Sequence, residues 1–221
     1  MNLKTVFILG LLIFTNSCKN PTSDTNSSIS EKAMNKLQSK NLLKDFPAIN
    51  KDGFVNAVVE IPSGTTEKWE LNKASGKIEW EKVEGDRRIV NYIGYPGNYG
   101  MIPQTLLAKA NGGDGDPLDI LVLGPPAARG SVVSCKLIGV LYLKDRGEQD
   151  DKLIAVAANS PFENLQSIED LNQNFYGVSK IISTWFSNYK GPDMMQAEGF
   201  GDAEAANKVL LQAIKEYKSG N

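Results

Sequence analysis

The spacing of apolar residues changes part-way along this chain, and that change constrains the fold more than any other feature. From Phe54 to Ala158 the apolar residues come in short runs broken by turn formers. Phe54–Ile61 ends at Pro62, Glu67–Leu71 alternates polar with apolar, and Ser75-Gly76 supplies a turn before Lys77–Val83. Further strands are predicted at 118–123, 131–143 and 152–158, the last two bracketing the polar loop Lys144–Asp151 as a hairpin. After that the period lengthens. Phe175, Val178, Ile181, Ile182, Trp185, Phe186 and Tyr189 form the stripe of an amphipathic helix, which Gly191-Pro192 stops. Asp202 is placed to cap a final helix with Ala206, Val209, Leu210, Ala213, Ile214 and Tyr217 on its buried face. Short strands followed by helices predict a mainly β, α+β architecture: a small barrel or sandwich with two or three helices packed outside.

The chain has no histidine, which excludes a Ser-His-Asp triad, a Cys-His pair, HExxH zinc chemistry and any histidine base. A net charge of −2 provides no basic surplus for nucleic acid, so no such partner is expected. Residues 1–17 carry one basic residue, Lys4, then the apolar core Val6–Phe14, and read as a secretory signal too short to span a bilayer comfortably. Cys18 directly after it resembles the lipidated cysteine of a bacterial lipoprotein. The expected location is therefore outside the cytoplasm, membrane-anchored, facing the periplasm or the cell exterior. Residues 18–45 read as the tether and a short N-terminal segment: 19–30 hold almost no apolar side chains, and Glu31–Leu43 is expected to form a short helix. The globular domain is expected over 46–221. Cys135, left without a partner, reads as a small buried hydrophobe.

Chemistry concentrates in three places. Gly112–Ile120 sets Asp114, Asp116 and Asp119 around a glycine-rich turn that feeds an apolar strand. Carboxylates crowded in this way repel one another, and an all-oxygen set is suited to a hard divalent cation. In an extended segment Asp114 and Asp116 face one side, and Asp119 joins them from the strand base. Asp145, Asp150 and Asp151 form a second acidic group on the hairpin loop, followed by Lys152. Arg87-Arg88 and the turn Tyr95–Gly100, with Tyr95 and Tyr99 as phenol donors, form a third, and Lys68 and Glu70 share one strand face. A solvated acidic turn and packing tyrosines are the bland readings of each fragment taken alone.

Together these landmarks resemble the soluble family I inorganic pyrophosphatases. Asp114-Gly-Asp-Pro-Leu-Asp-Ile120 fits the family signature, and Glu60-Ile-Pro62, Lys68-Trp-Glu70, Tyr95–Gly100, Asp145–Lys152, Tyr189-Lys190 and Glu198-Gly199 recur in the family's order from about Val55 onward. The resemblance implies a five-stranded OB-like closed barrel and magnesium-dependent hydrolysis of pyrophosphate to two phosphates by direct attack of a metal-activated water. Several magnesium ions are implied, with manganese or zinc as substitutes and calcium as an inhibitor. Asp114, Asp119 and Asp150 match magnesium ligands, Asp145 matches a holder of further metal, and Glu60 matches a residue that reaches the metal through water. Asp116 matches the carboxylate that activates the water and borders the same metals. Lys68, Arg87, Tyr95, Lys152, Tyr189 and Lys190 match phosphate-contacting groups, with Tyr99 and Glu70 lining the cavity. A homo-oligomer, dimer or hexamer, is also implied. The export signal and a long segment Leu107–Gly113 depart from the compact bacterial forms.

Two other classes compete. A non-catalytic divalent-cation-binding lipoprotein would use the acidic loops structurally, but an EF-hand fails because Asp119 stands where its sixth-position glycine belongs. A phosphatase with Asp114 as covalent nucleophile expects strands alternating with helices, a pattern residues 54–158 lack.

Overall fold

The structure, a computed structural model, describes residues 40–111 and 113–220. The expected signal sequence, Cys18 and residues 31–39 of the expected N-terminal helix lie outside the described residues; residues 40–43 run into a turn. In chain order the strands are β1 (Val55–Ile61), β2 (Trp69–Asn72), β3 (Lys77–Trp80), β4 (Lys82–Val83), β5 (Asp86–Arg87), β6 (Asn98–Met101), β7 (Asp119–Leu123), β8 (Val132–Asp145), β9 (Glu148–Gln149), β10 (Lys152–Ala157) and β11 (Met195–Gly201). The helices are α1 (Ile168–Asn174), α2 (Val178–Asn188) and α3 (Ala203–Ser219). No helix among the described residues is long and apolar enough to cross a membrane.

The main sheet closes on itself. Its order β1-β6-β7-β10-β8 returns to β1 through the Val55↔Cys135 register, making a ring of five strands, and β11 is added along the outer length of β8. All contacts around the ring are antiparallel except β7–β10. This ring is compatible with the OB-like closed barrel expected from the sequence. β7 and β10 read as unbroken apolar runs because both of their faces are buried. Leu121, Leu123, Ile154 and Val156 face one core with Leu171 of α1 and Ile182, Trp185 and Phe186 of α2. Ile120, Val122, Leu153 and Ala155 face a second core, closed by Ala206, Leu210 and Ala213 of α3. Cys135 is wholly buried there; burial pushes its thiol well above the ordinary range, so it packs and does not react.

Local chemistry explains the ends of the elements. The Asp202 side chain accepts from the Ala205 N–H as the α3 cap. The aromatic stripe is interrupted: Gly177, at φ +86°, separates α1 from α2, so Phe175 ends one helix and Val178 begins the next. α1 carries no clear signal in the sequence, since it buries only Ile168 and Leu171 and shows too little periodicity to read. β6 falls where the sequence predicts a turn. It is a strand because Gly100 lets it lie close to β1: a Cβ there would sit 1.8 Å from the Val58 carbonyl oxygen. β11 is hidden in the sequence because its pairing with β8 slips between Ala197 and Gly199, which breaks the alternation. The long segment after Leu106 packs onto α3, where the Glu216 carboxylate accepts from the Ala108 N–H and the Asn111 amide, each at 2.7 Å.

Candidate active site

A cavity of about 330 Å³ opens where several strand ends meet. The parallel pair fixes its floor. Leu153 stands opposite Ile120, so the residues just before them, Lys152 and Asp119, begin their strands side by side. The Lys152 ammonium, 2% exposed, donates to Asp119 Oδ2 and to Asp150 Oδ1, both at 2.5 Å. Burial opposes the charge on Lys152, but the two carboxylates outweigh it and raise its pKa far above the usual lysine range. Burial raises Asp150, Lys152 pulls it back, and Asp119 raises it again.

The acidic turn forms one rim and is pinned to the preceding loop. Leu107 N–H donates to the Asp116 carbonyl and Gly115 N–H to the Leu107 carbonyl, both at 2.8 Å. Buried Thr105 accepts from Leu118 N–H at 3.0 Å, which holds the corner before β7. Asp114 Oδ1 accepts from Asp116 N–H at 2.8 Å, and Gly115 adopts φ +87° between them. Both carboxylates line the same cavity, brought there by this tight turn and not by the extended segment expected from the sequence. On the opposite rim, Lys73 in the β2–β3 turn bonds to the Asp116 carboxylate and to the Gly115 carbonyl at 3.1 Å.

Glu60, from buried β1, accepts from Leu71 N–H at 2.7 Å. Burial raises its pKa to about 8, with Lys68 lowering it and Asp119 raising it further. Lys68 stands between Glu70 at 3.7 Å and Glu81 at 3.9 Å, 15% exposed. α2 delivers Tyr189 and Lys190 at its C-terminus. Trp185 stacks on Tyr189 with ring centroids 4.7 Å apart and anchors to the Ile93 carbonyl through its indole N–H. Lys190 donates to Asp145 Oδ2 at 2.7 Å; burial works against that ammonium, but the Asp145 bond outweighs it and raises its pKa. Tyr99 and Tyr189 are both raised, chiefly by burial, so their phenols stay protonated and able to donate.

Of the residues singled out from the sequence, Glu60, Lys68, Glu70, Tyr99, Asp114, Asp116, Asp119, Asp150, Lys152, Tyr189 and Lys190 line this one cavity. Asp145 joins it through Lys190. Tyr95 sits behind the wall, 2% exposed, with its ring 5.1 Å from Tyr99 and 4.3 Å from Trp185. Burial raises its phenol, which still feels Tyr189 and Asp119.

Arg87 is a correction. It is exposed and lies over the Trp80 ring at 4.7 Å, outside the cavity. Neighbouring residues of an extended strand face opposite ways, and it is Arg88 that turns inward, with Nη1 on both Glu81 oxygens at 2.8 and 3.0 Å. The sequence shows the Arg87-Arg88 pair but not which of the two faces in. Lys73 and Glu81 also line the cavity, and sequence reasoning misses both. Glu81 is visible only as one step of the alternation in 77–83, and Lys73 looks like an ordinary turn residue. Asp151 turns away, accepting from Leu143 N–H and the Gln149 amide to brace the hairpin.

The donors suit a hard cation. Glu60, Glu70, Glu81, Asp114, Asp116, Asp119 and Asp150 supply oxygen only, against the cations of Lys68, Lys73, Arg88, Lys152 and Lys190. Asp145 Oδ1 is buried with no hydrogen-bond partner, an oxygen still open to a cation. Among the described residues no three carboxylates converge as a ready-made cage, and the Lys152 ammonium bridges Asp119 and Asp150.

Comparison with known proteins agrees with this chemistry. A profile described as "Pyrophosphatase: Inorganic pyrophosphatase" matches residues 57–218. An inorganic pyrophosphatase of Campylobacter jejuni is 39% identical over 171 residues, covering 74% of this chain and 92% of the relative. One from Xylella fastidiosa is 37% identical over 169 residues, covering 74% and 89%. A crystal structure of type I inorganic pyrophosphatase from Toxoplasma gondii superposes with a TM-score of 0.77 at 30% identity, covering 81% of this chain and 88% of that one.

Proposed function

Because the chain belongs to the inorganic pyrophosphatase family and hydrolyses pyrophosphate, we propose that the cavity at the β7–β10 strand ends carries out that reaction with magnesium, by direct attack of water. One observation carries the reading: the acids and cations of that cavity are interleaved around a space lined largely by polar groups. Pyrophosphate is a small polyanion without an apolar handle, and such a wall recognises it through charge and hydrogen bonds alone.

Asp114, Asp119, Asp150 and Asp145 would hold the magnesium ions, with Glu60 reaching them through water. Bound magnesium supplies charge neutralisation at the phosphate oxygens and lowers the pKa of the attacking water. Lys68, Arg88, Lys152 and Lys190 hold the phosphate oxygens, and Tyr99 and Tyr189 donate phenol protons to them. Arg88 takes the role that the family resemblance assigns to Arg87. Tyr95 supports both phenols from behind. Asp116, at the rim and half exposed, accepts the proton of the attacking water once Lys73 yields it. The leaving phosphate departs among ammonium and guanidinium groups, which stabilise the charge that develops on it. Manganese or zinc would substitute for magnesium, and calcium would inhibit, since its longer and more numerous bonds hold the oxygens in a different geometry.

The test is release of orthophosphate from pyrophosphate by residues 30–221, with magnesium and with chelator. Asp116→Asn should lower turnover at least ~100-fold while the Asp114 bond to the backbone of residue 116 preserves the turn. Near-normal turnover in that variant would exclude Asp116 as proton acceptor. No turnover, joined to tight calcium binding, would favour the cation-binding lipoprotein. The export signal and Cys18 lead us to place the enzyme on a membrane as a lipoprotein, and Cys18→Ser should release it into the soluble fraction. A dimer or hexamer is the assembly proposed, to be read by light scattering.

A further inference from the structure

Beside the catalytic cavity lies a smaller hollow of about 270 Å³, and Arg88, Tyr189 and Lys190 belong to the walls of both. Arg146 and Asn91 complete its polar lining, and among the described residues no carboxylate faces it. The charge pattern therefore differs from that of the cavity next door, where acids and cations alternate. Arg88 engages Glu81 of the cavity wall through one terminal nitrogen, and Lys190 engages Asp145, so each is partly neutralised. Arg146 is not. It follows β8 at the hairpin turn, is exposed, and has no carboxylate partner among the described residues. Its backbone N–H donates to the Met194 carbonyl at 2.9 Å, which ties the turn to the wall of the hollow. A concave surface with three cations, a phenol and an amide, one cation unbalanced, attracts an anion rather than a metal.

We infer that this annex is a phosphoryl subsite, holding a group beyond the two of pyrophosphate: the terminal phosphoryl of a linear triphosphate chain. The inference rests on the pyrophosphatase reading, because the shared walls place the chain's other two groups in the catalytic cavity. Free orthophosphate carries the same chemistry and is the other source to be distinguished.

The experiment measures initial rates of magnesium-dependent pyrophosphate hydrolysis, with inorganic tripolyphosphate and, separately, orthophosphate as inhibitors. The wild-type chain is compared with Arg146→Asn and Arg146→Lys. Asn is chosen because residue 146 sits at φ +51°, which Asn tolerates. Arg146→Asn should leave kcat and KM for pyrophosphate within about twofold and raise the tripolyphosphate inhibition constant about tenfold, the loss of one charge-assisted contact. Arg146→Lys should recover part of that loss. An unchanged tripolyphosphate constant in Arg146→Asn overturns the inference while leaving the pyrophosphatase reading intact. A shift in orthophosphate inhibition alone overturns it too, assigning the annex to free phosphate. Absence of any pyrophosphate turnover in the wild type overturns both.

Discussion

Replacing Lys152 with methionine tests the centre of the site. The ammonium is 2% exposed and bonds two carboxylates, Asp119 and Asp150, whose side chains are 32% and 25% exposed. Methionine fills nearly the same volume, so no cavity forms and the loss is electrostatic. Removing one member of a fully buried ion pair costs about 3–5 kcal/mol. Here both acids keep some solvent, and screening brings the figure to about 2–3 kcal/mol. At about 2–4 °C per kcal/mol for a domain of 150–250 residues, Lys152→Met should lower Tm by about 4–12 °C in chelator at pH 8. The pH dependence has a definite direction. Lys152 does most to pull Asp150 down, with a smaller pull from Lys190, so in the variant burial and Asp119 hold its pKa higher still. The folded state then binds more protons than the unfolded one, and stability falls as pH rises past the ordinary carboxylate range. The deficit should therefore shrink at pH 5, and it should also shrink when magnesium is added at pH 8. Thermal unfolding followed by circular dichroism reads all three. A variant as stable as the wild type in chelator at pH 8 would refute the reasoning.

Three further outcomes are expected. Arg88→Ala should lower kcat/KM for pyrophosphate about 10- to 100-fold, the worth of a charged hydrogen bond, whereas Arg87→Ala should change it less than about twofold; equal effects would reverse the assignment. Gly100→Ala should destabilise by about 3 kcal/mol or more in denaturant titration, because the new Cβ meets the backbone of β1 and not a movable side chain. Glu60→Gln keeps an acceptor for Leu71 but does not titrate. In chelator the wild type should lose about 1.4 kcal/mol per pH unit relative to this variant between the ordinary glutamate value of 4.5 and about 8, because folded Glu60 holds a proton that the unfolded chain releases. Parallel stability curves would show that Glu60 ionises freely.

Elements with a strong period are legible in the amino-acid sequence alone. β1, β7, β8 and β10 are long apolar runs, and the α3 cap at Asp202 is set by one side chain. The elements that stay hidden are set by contacts distant in sequence. β6 exists because Gly100 fits under Val58, and β11 because a slipped register still pairs it with β8. The site follows the same division. Asp114, Asp116 and Asp119 announce themselves by crowding within six residues. Arg88, Glu81 and Lys73 are defined by which way a short strand or a turn faces, and a lone sequence does not record that. The choice between Arg87 and Arg88 turns on half a pleat.

The side-by-side start of β7 and β10 makes Asp119 and Lys152 a gauge of strand register. A slip of one residue between these two strands would drive Asp119 or Lys152 into an apolar core and exchange the occupants of both cores at once. In a refolding experiment, recovered turnover would then count only correctly aligned molecules, while compactness or β content would also count the misaligned ones. The enzyme certifies its own assembly through the reaction it performs.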